Sequence, residues 1–218
     1  MKYFIANWKM NMGIKEVVAW VESYSRASSK IKNTKVIIAP STPHLPLLSE
    51  VNQRLNFEIS AQDVSAFEKG AHTGEIGTFQ IKEFCKYSIV GHSERKESFD
   101  TVIAKRDFCL KEGITPIVCF VKTPDAPKLY KAGVILAWED PSNISLNGTY
   151  RDKDPKEVAG GVAQIRSFLP EEAILIYGGS VNRENIKDLA KIQGIDGVLV
   201  GNASLDPNHF IDIILSCL

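Results

Sequence analysis

The sequence predicts a closed α/β barrel of eight parallel strands, a (β/α)8 architecture, with a shortened fifth βα unit. Two observations lead to this prediction: short apolar runs recur along the whole chain, and most gaps between them carry a segment of helical character. Strands that alternate with helices pair in parallel through right-handed crossovers. The 218 residues suffice for one such barrel, which needs at least about 200 residues. We therefore expect a single domain over residues 1–218.

Eight apolar runs supply the expected strands. They are mostly continuous in hydrophobicity and rich in β-branched or aromatic residues, which is typical of strands covered on both faces. The runs comprise residues 3–6, 36–39, 57–61, 87–90, 116–120, 134–138, 173–177 and 197–200. An open doubly wound sheet is the alternative architecture, but no G-x-G-x-x-G motif follows any of these runs.

Helices are expected between the runs. Apolar residues at helical spacing predict helices over residues 14–24 and 100–110. Two Asp-Pro pairs, each with Asp as the N-cap and Pro at the first helical position, open two further helices. These pairs are Asp154-Pro155, before a helix that we expect to reach Phe168, and Asp206-Pro207, before the last helix.

The fifth connection is the shortest, because only residues 121–133 separate two strands. A crossover of this kind needs about 10–12 residues, so the helix in it must be brief. Thr123-Pro124 can begin a helix of about two turns, and Gly133 is expected to end it.

Composition excludes several classes of function. The chain has 26 Lys and Arg against 26 Asp and Glu, so no overall charge favours nucleic acid or an anionic membrane as a partner. No apolar run approaches the roughly 18 residues that a membrane span requires. The four cysteines lack C-x-x-C spacing, and Cys119 lies inside an apolar run as an expected buried thiol. These features favour a reducing, cytoplasmic location.

Polar side chains directly follow several of the predicted strands. Asn7 and Lys9 follow the first strand, His92 and Glu94 the fourth, and Glu139 the sixth. In a parallel barrel these positions converge on the carboxyl-terminal rim. Taken alone, His92 is equally well explained as a structural histidine, Lys9 as a surface lysine and Glu139 as a solvated acid. The functional interpretation therefore depends on these residues sharing one rim.

Glycine-bearing turns follow the last two strands. Gly178-Gly179-Ser180 comes after the seventh strand, and Gly201-Asn202 begins the turn after the eighth. Glycine lets the backbone approach an anion closely. Loops at this place in a barrel commonly form a phosphate site, so the pair of turns predicts one here.

Together the rim residues fit proton transfer next to a carbonyl group. A carboxylate such as Glu139 can remove a carbon-bound proton if the developing oxyanion is stabilised, and His92, Lys9 and Asn7 can supply that stabilisation. Glu94 is placed to pair with Lys9. The histidines lie in separate units without the spacing of metal ligands, and no G-x-S-x-G motif supports a serine hydrolase.

Several motifs resemble those of the triosephosphate isomerase family, in family order along the whole chain. They are residues 4–11 (FIANWKMN), 62–66 (QDVSA), 70–75 (GAHTGE), 89–95 (IVGHSER), 177–181 (YGGSV) and 199–205 (LVGNASL). The resemblance implies a TIM barrel that interconverts dihydroxyacetone phosphate and D-glyceraldehyde 3-phosphate, in glycolysis and gluconeogenesis, without cofactor or metal.

The resemblance also implies roles for individual residues. The family is the usual example of a Glu base beside a neutral His electrophile, and Glu139 and His92 match these positions. Lys9 and Asn7 match the substrate-binding pair, and Glu94 matches its supporting acid. Ser180, Gly201 and Asn202 match phosphate-binding positions. In the family the loop from Gln62 to Thr78 packs against a second copy, which implies a homo-oligomer, most simply a dimer, with a tetramer as the alternative.

Three segments depart from the family pattern. The lid after the base, from Asp140 to Gly148, lacks the usual sequence, and Ser145 stands where a glycine usually clamps the phosphate. Asn202 replaces a second glycine in the last loop. Residues 120–122 (FVK) replace Ile-Gly-Glu after the fifth strand. The unusual lid predicts a less well sealed site.

Two alternative functions stay open on the sequence alone. One is a non-catalytic or weakly active descendant that binds a sugar phosphate without a working lid. The other is a different phosphate-binding barrel, such as an isomerase of amino-acid biosynthesis. Such enzymes typically carry paired acids after strands one and five, where this chain has Lys9 and Lys122.

Overall fold

The computed structural model describes residues 1–139 and 154–218, which form a barrel of eight parallel strands. The strands pair in sequence order, and β1 also pairs with β8, so the sheet closes on itself. This closure excludes the open sheet. The strands are β1 Tyr3–Asn7, β2 Lys35–Ala39, β3 Glu58–Ala61, β4 Tyr87–Val90, β5 Thr115–Phe120, β6 Ile135–Trp138, β7 Ile174–Tyr177 and β8 Gly197–Val200. Each lies within a residue of its predicted run.

Helices cover the outside of the barrel. The longer ones agree with the predicted segments, whereas β2 and β3, and β3 and β4, are joined through short helices only. The helices are α1 Ile14–Ser28, α2 Leu45–Ser49, α3 Asn52–Leu55, α4 Thr78–Ile81, α5 Phe99–Lys111, α6 Ala126–Leu129, α7 Pro155–Arg166, α8 Ile186–Leu189 and α9 Pro207–Leu215.

Both predicted N-caps are present. The Asp154 carboxylate accepts a hydrogen bond from the Lys156 backbone N–H at 2.9 Å, at the start of α7. The Asp206 carboxylate accepts one from the Asn208 N–H at 2.8 Å, at the start of α9. Each bond satisfies a backbone donor that has no partner within its own helix. Helix α7 ends at Arg166, two residues before the predicted Phe168.

The fifth unit is short, but its helix ends earlier than predicted. A 3-10 turn over Thr123–Asp125 leads into α6, which stops at Leu129. Tyr130 takes an extended conformation, with φ −67° and ψ 135°, and this ends the helix. The prediction that Gly133 ends the helix is therefore wrong. Gly133 instead makes the turn before β6, with a φ of +86° that glycine adopts without strain.

The apolar core has two layers that the strands separate. Alternate strand residues fill the barrel interior, and the others pack outward against the helices. The interior layer consists of Tyr3, Ile5, Ile37, Ala39, Tyr87, Ile89, Ile117, Cys119, Ile135, Ala137, Ile176 and Leu199. Because these side chains fill the interior, the polar residues that follow the strands are confined to the rim.

Cys85, Cys109 and Cys119 are buried, Cys217 is partly buried, and all four are free thiols. The predicted burial of Cys119 is confirmed. In the part of the chain that the structure describes, no helix is long and apolar enough to cross a membrane.

Candidate active site

A carboxylate and an imidazole meet at the rim between β4 and β6. Glu139, which follows β6, is 1% exposed. One of its oxygens, Oε1, lies 2.9 Å from Nε2 of His92, and the other accepts a hydrogen bond from the Ser93 backbone N–H at 2.8 Å. The strands fix the backbone of Glu139, whose N–H donates to the Phe120 carbonyl at 2.8 Å. A buried carboxylate is thus held between two donors.

The hydrogen bonds of His92 define its tautomer. Its Nδ1 accepts a hydrogen bond from the Glu94 backbone N–H at 3.2 Å, so this nitrogen carries no hydrogen. The ring hydrogen therefore lies on Nε2, which donates to Glu139. His92 precedes the 3-10 turn Ser93–Arg95. A neutral imidazole with its N–H directed to the carboxylate can serve as an electrophile.

Lys9 and Glu94 form the predicted pair, with 2.6 Å between Nζ and Oε1. Lys9 has a φ of +52°, a left-handed conformation that is strained for a residue with a side chain. Three hydrogen bonds hold it. The Lys9 N–H donates to Oδ1 of buried Asn7 at 3.0 Å, while the Lys9 carbonyl accepts from Ser41 Oγ at 3.0 Å and from Gln62 Nε2 at 2.9 Å. The cation is therefore placed by three loops.

The glycines of the last two loops lie close to these charged side chains. A Cβ added to Gly201 would lie 3.4 Å from Cε of Lys9, and one added to Gly178 would lie 3.2 Å from Cγ of Glu139. Ser180 is buried, and Asn202 is exposed at the start of the 3-10 turn Asn202–Ser204. The backbone after β7 and β8 thus approaches the Glu139 carboxylate and the Lys9 ammonium closely.

An ion cluster lies behind the β4 side of the rim. The Lys105 ammonium, 4% exposed, contacts both oxygens of Asp63, at 2.8 and 2.7 Å, and also Glu97. Burial raises the pKa of Asp63 even though Lys105 opposes it. Burial also opposes the ionisation of Glu97, but hydrogen bonds from Lys105 and Arg95 prevail and hold its pKa below the ordinary value. The cluster joins the loops that follow β3 and β4.

Cys119 lies in the barrel interior near Glu139 and is not a reactive thiol. Burial raises the pKa of the Cys119 thiol well above its usual range, and the nearby charge of Glu139 raises it further. Cys119 therefore stays protonated and packs as an apolar side chain. Among residues 1–139 and 154–218, no group of three or more His, Cys, Asp and Glu side chains is arranged to hold a metal ion.

The structure brings most of the predicted residues together and adds three. Asn7, Lys9, His92, Glu94 and Glu139 form one connected set of contacts, and Gly201 lies next to Lys9. Ser145 and the unusual segment from Asp140 to Gly148 lie outside the described residues. Sequence reasoning missed the supporting roles of Ser41, Gln62 and Ser93. All three follow strand ends, so the rule that found His92 also covers them.

The fold and the site define an enzyme of the (β/α)8 class with a carboxylate, an imidazole and an ammonium group at its rim. The sequence model of the family described as triosephosphate isomerase matches residues 2–217. The chain belongs to the triosephosphate isomerase family, and it is an isomerase.

Curated relatives cover nearly the whole chain. A triosephosphate isomerase of Neurospora crassa is 35% identical, over 98% of this chain and 97% of its own length. The triosephosphate isomerase of Mycoplasma pneumoniae is 32% identical, over 96% of this chain and 96% of its own length. That of Endomicrobium trichonymphae is also 32% identical, over 95% of this chain and 95% of its own length. Nothing in these matches favours the alternative of a non-catalytic descendant.

Proposed function

We propose that this protein interconverts dihydroxyacetone phosphate and D-glyceraldehyde 3-phosphate, with residues 1–218 acting as one domain and Glu139 as the base. The observation that carries the residue assignment is the Glu139 carboxylate, which is buried and held between His92 Nε2 and the Ser93 N–H. The full-length family match supports the substrate pair. As a step between two triose phosphates, the reaction belongs to glycolysis and gluconeogenesis, and a cytoplasmic location is part of this proposal.

The hydrogen bonds of Glu139 suggest how the reaction begins. Both carboxylate oxygens are engaged, so Glu139 must give up at least one hydrogen bond before it reaches a substrate C–H. When Oε1 leaves, the His92 Nε2–H becomes free to donate to the substrate carbonyl oxygen. The base and the electrophile are therefore released together. Glu139 then returns the proton to the adjacent carbon, while the hydroxyl proton passes by way of His92 Nε2 to the former carbonyl oxygen, which gives the other isomer.

Lys9 and the glycine turns account for substrate binding. Nζ of Lys9 lies close to the β8 loop, since a Cβ on Gly201 would lie 3.8 Å from it. We assign the phosphate to the loops that carry Ser180, Gly201 and Asn202, and the substrate oxygens to Lys9 and Asn7. Glu94 keeps the Lys9 side chain extended through its 2.6 Å ion pair. Ser145 is proposed as a further phosphate contact.

The loop from Gln62 to Thr78 supports assembly into a homo-oligomer, most simply a dimer, with a tetramer as the alternative. Phe67 is 54% exposed and stacks on His72 at 4.4 Å between ring centroids. Met10, beside Lys9, is 95% exposed. A second copy of the same chain is the partner that the family implies, and it would cover these two exposed side chains.

A coupled assay with each triose phosphate tests the proposed reaction, and Glu139→Gln tests the base. We expect turnover in both directions, and we expect Glu139→Gln to lower kcat by about 10³-fold or more with little change in KM. Glu172→Gln, an exposed carboxylate before β7, is the control. Wild-type turnover in the Glu139 variant would remove this residue from the mechanism, and absence of turnover in the wild type would overturn the proposed reaction.

A further inference from the structure

Trp138 precedes the proposed base and is fixed on three sides. It is the last residue of β6, lies opposite Phe120 of β5 and Tyr177 of β7, and is 5% exposed. Its Nε1–H donates to the Val121 carbonyl at 3.2 Å. Its ring contacts Tyr177 edge to face, at 5.9 Å between centroids and an angle of 63°. The indole lies in the outer layer of the core, between the strands and the helices.

The third contact is with a glycine of α7. A Cβ added to Gly161 would lie 2.8 Å from both Cζ2 and Cζ3 of the indole, and closer still to Cη2. No larger residue fits at this position while the indole keeps its place. At Gly160, the neighbouring residue of the same helix, an added Cβ would have no other atom of the described residues within 4 Å. Glycine is unfavourable inside a helix, and only at Gly161 does the packing of the indole require it.

The segment that contains Val121, whose carbonyl accepts from the indole N–H, is hydrogen-bonded to α7. Thr123 Oγ1, two residues after Val121, donates to Gln164 Oε1 of α7 at 3.0 Å. The indole is therefore enclosed by the end of β5, by β7 and by one face of α7. These contacts resist rotation of the ring.

The position of the indole is coupled to the Glu139 carboxylate through the peptide group that the two residues share. The Trp138 carbonyl accepts a hydrogen bond from the Gly178 N–H at 2.8 Å, and the Glu139 N–H donates to the Phe120 carbonyl at 2.8 Å. The two side chains leave this peptide group in opposite directions, as successive residues of a strand do. A displaced indole therefore tilts the peptide group and moves the carboxylate.

We propose that Trp138 is a positioning residue for proton transfer: its indole, seated against Gly161 and bonded to Val121, sets the place of the Glu139 carboxylate. This inference rests on the proposed assignment of Glu139 as the base. Displacing a reacting group by about 1 Å can cost up to about 10²-fold in rate. The position of the indole is thus expected to act on kcat rather than on substrate affinity.

Four variants test this role by steady-state kinetics at a temperature where each is folded. We expect Trp138→Phe and Gly161→Ala each to lower kcat about tenfold, with KM within about twofold of the wild type. Gly160→Ala is the matched control and should keep the wild-type kcat. In the double variant Trp138→Phe/Gly161→Ala, the added methyl group occupies space that the smaller ring leaves. The kcat of the double variant should therefore exceed that of either single variant.

The recovery in the double variant would show that the two residues act through their shared contact, and a loss in kcat with unchanged KM separates positioning from a general loss of packing. The proposal is overturned if the losses multiply, or if Gly161→Ala is as active as Gly160→Ala. Where Gly161→Ala does not fold, Trp138→Phe decides, and a kcat equal to that of Gly160→Ala overturns the proposal. Failure of the base assignment is visible separately, as wild-type kcat in Glu139→Gln whatever the Trp138 variants do.

Discussion

The two sides of the rim differ in whether side chains or backbone groups form the site. Between β4 and β6, buried side chains hold one another, as the His92 and Glu139 contact at 2.9 Å shows. After β7 and β8, glycines bring the backbone close to the charged side chains, as Gly201 does beside Lys9. Proton transfer requires a side chain at a fixed place, whereas an anion is bound well by backbone groups. Changes on the first side should therefore lower kcat, and changes on the second side should raise KM.

The largest effect after that of Glu139 is expected at His92. His92→Asn keeps an acceptor near the Glu94 N–H but cannot place a donor where Nε2 lies. We expect kcat to fall by about 10²–10³-fold, with KM changed no more than threefold. His209→Asn, on the outer helix α9, serves as the control. A rise in KM with normal kcat in the His92 variant would contradict the division between the two sides.

A smaller effect is expected from the loop that begins at Gln62. Thr73→Arg places a charge at the exposed tip of this loop, where we propose that a second copy packs. We expect light scattering to show a monomer in place of the oligomer, and kcat to fall by about tenfold because the loop is proposed to pack beside Lys9 of the partner subunit. Lys69→Arg, which keeps the charge of the loop, should leave the mass unchanged. A wild-type protein that is a fully active monomer would refute the proposed assembly.

Gly201→Ala tests the other side of the rim. Its Cβ would lie 3.4 Å from Cε of Lys9, so the side chain of Lys9 must shift by a few tenths of an ångström. We expect KM to rise about fivefold, and kcat to stay within twofold, because the backbone can no longer approach the phosphate as closely. The unhindered Gly160→Ala is again the control. If kcat falls while KM stays constant, the β8 loop does not act through binding.

The smallest effect concerns acid stability on the β4 side. The pKa of Glu97 is held below its ordinary value in the folded protein, so its contribution to the free energy of unfolding is present above the unfolded pKa. That contribution is lost as the pH falls through the lowered pKa. Between pH 5 and 3, the free energy of unfolding of Glu97→Gln in urea should therefore fall less than that of the wild type. The raised pKa of Asp63 contributes to the pH dependence of the free energy of unfolding with the opposite sign. If this free energy fell more steeply in the variant than in the wild type, the acid dependence would come from groups other than Glu97.

The strands were predictable because both of their faces are buried, which leaves nearly continuous apolar runs such as Ile117 to Phe120. The end of α6 was not predictable from Gly133, because the extended Tyr130 ends that helix first. The rim residues followed from strand ends alone. The contact of Trp138 with Gly161 was out of reach, since nothing in either residue's neighbours along the chain indicates that they pack together.

The loop from Gln62 to Thr78 has a closed base, which divides the loop into two independent parts. The Gln62 amide bonds the carbonyls of Lys9 and Ala39, each at 2.9 Å, and the Ser65 N–H bonds the Ile76 carbonyl at 2.8 Å. The second bond separates the tip of the loop from the residues that hold Lys9. A change between Ser65 and Ile76 therefore alters the proposed interface and leaves in place the bonds that hold Lys9 of the same protomer. Gln62→Glu removes the donor and Gln62→Asn shortens the side chain, so either change loses the bonds to the Lys9 and Ala39 carbonyls.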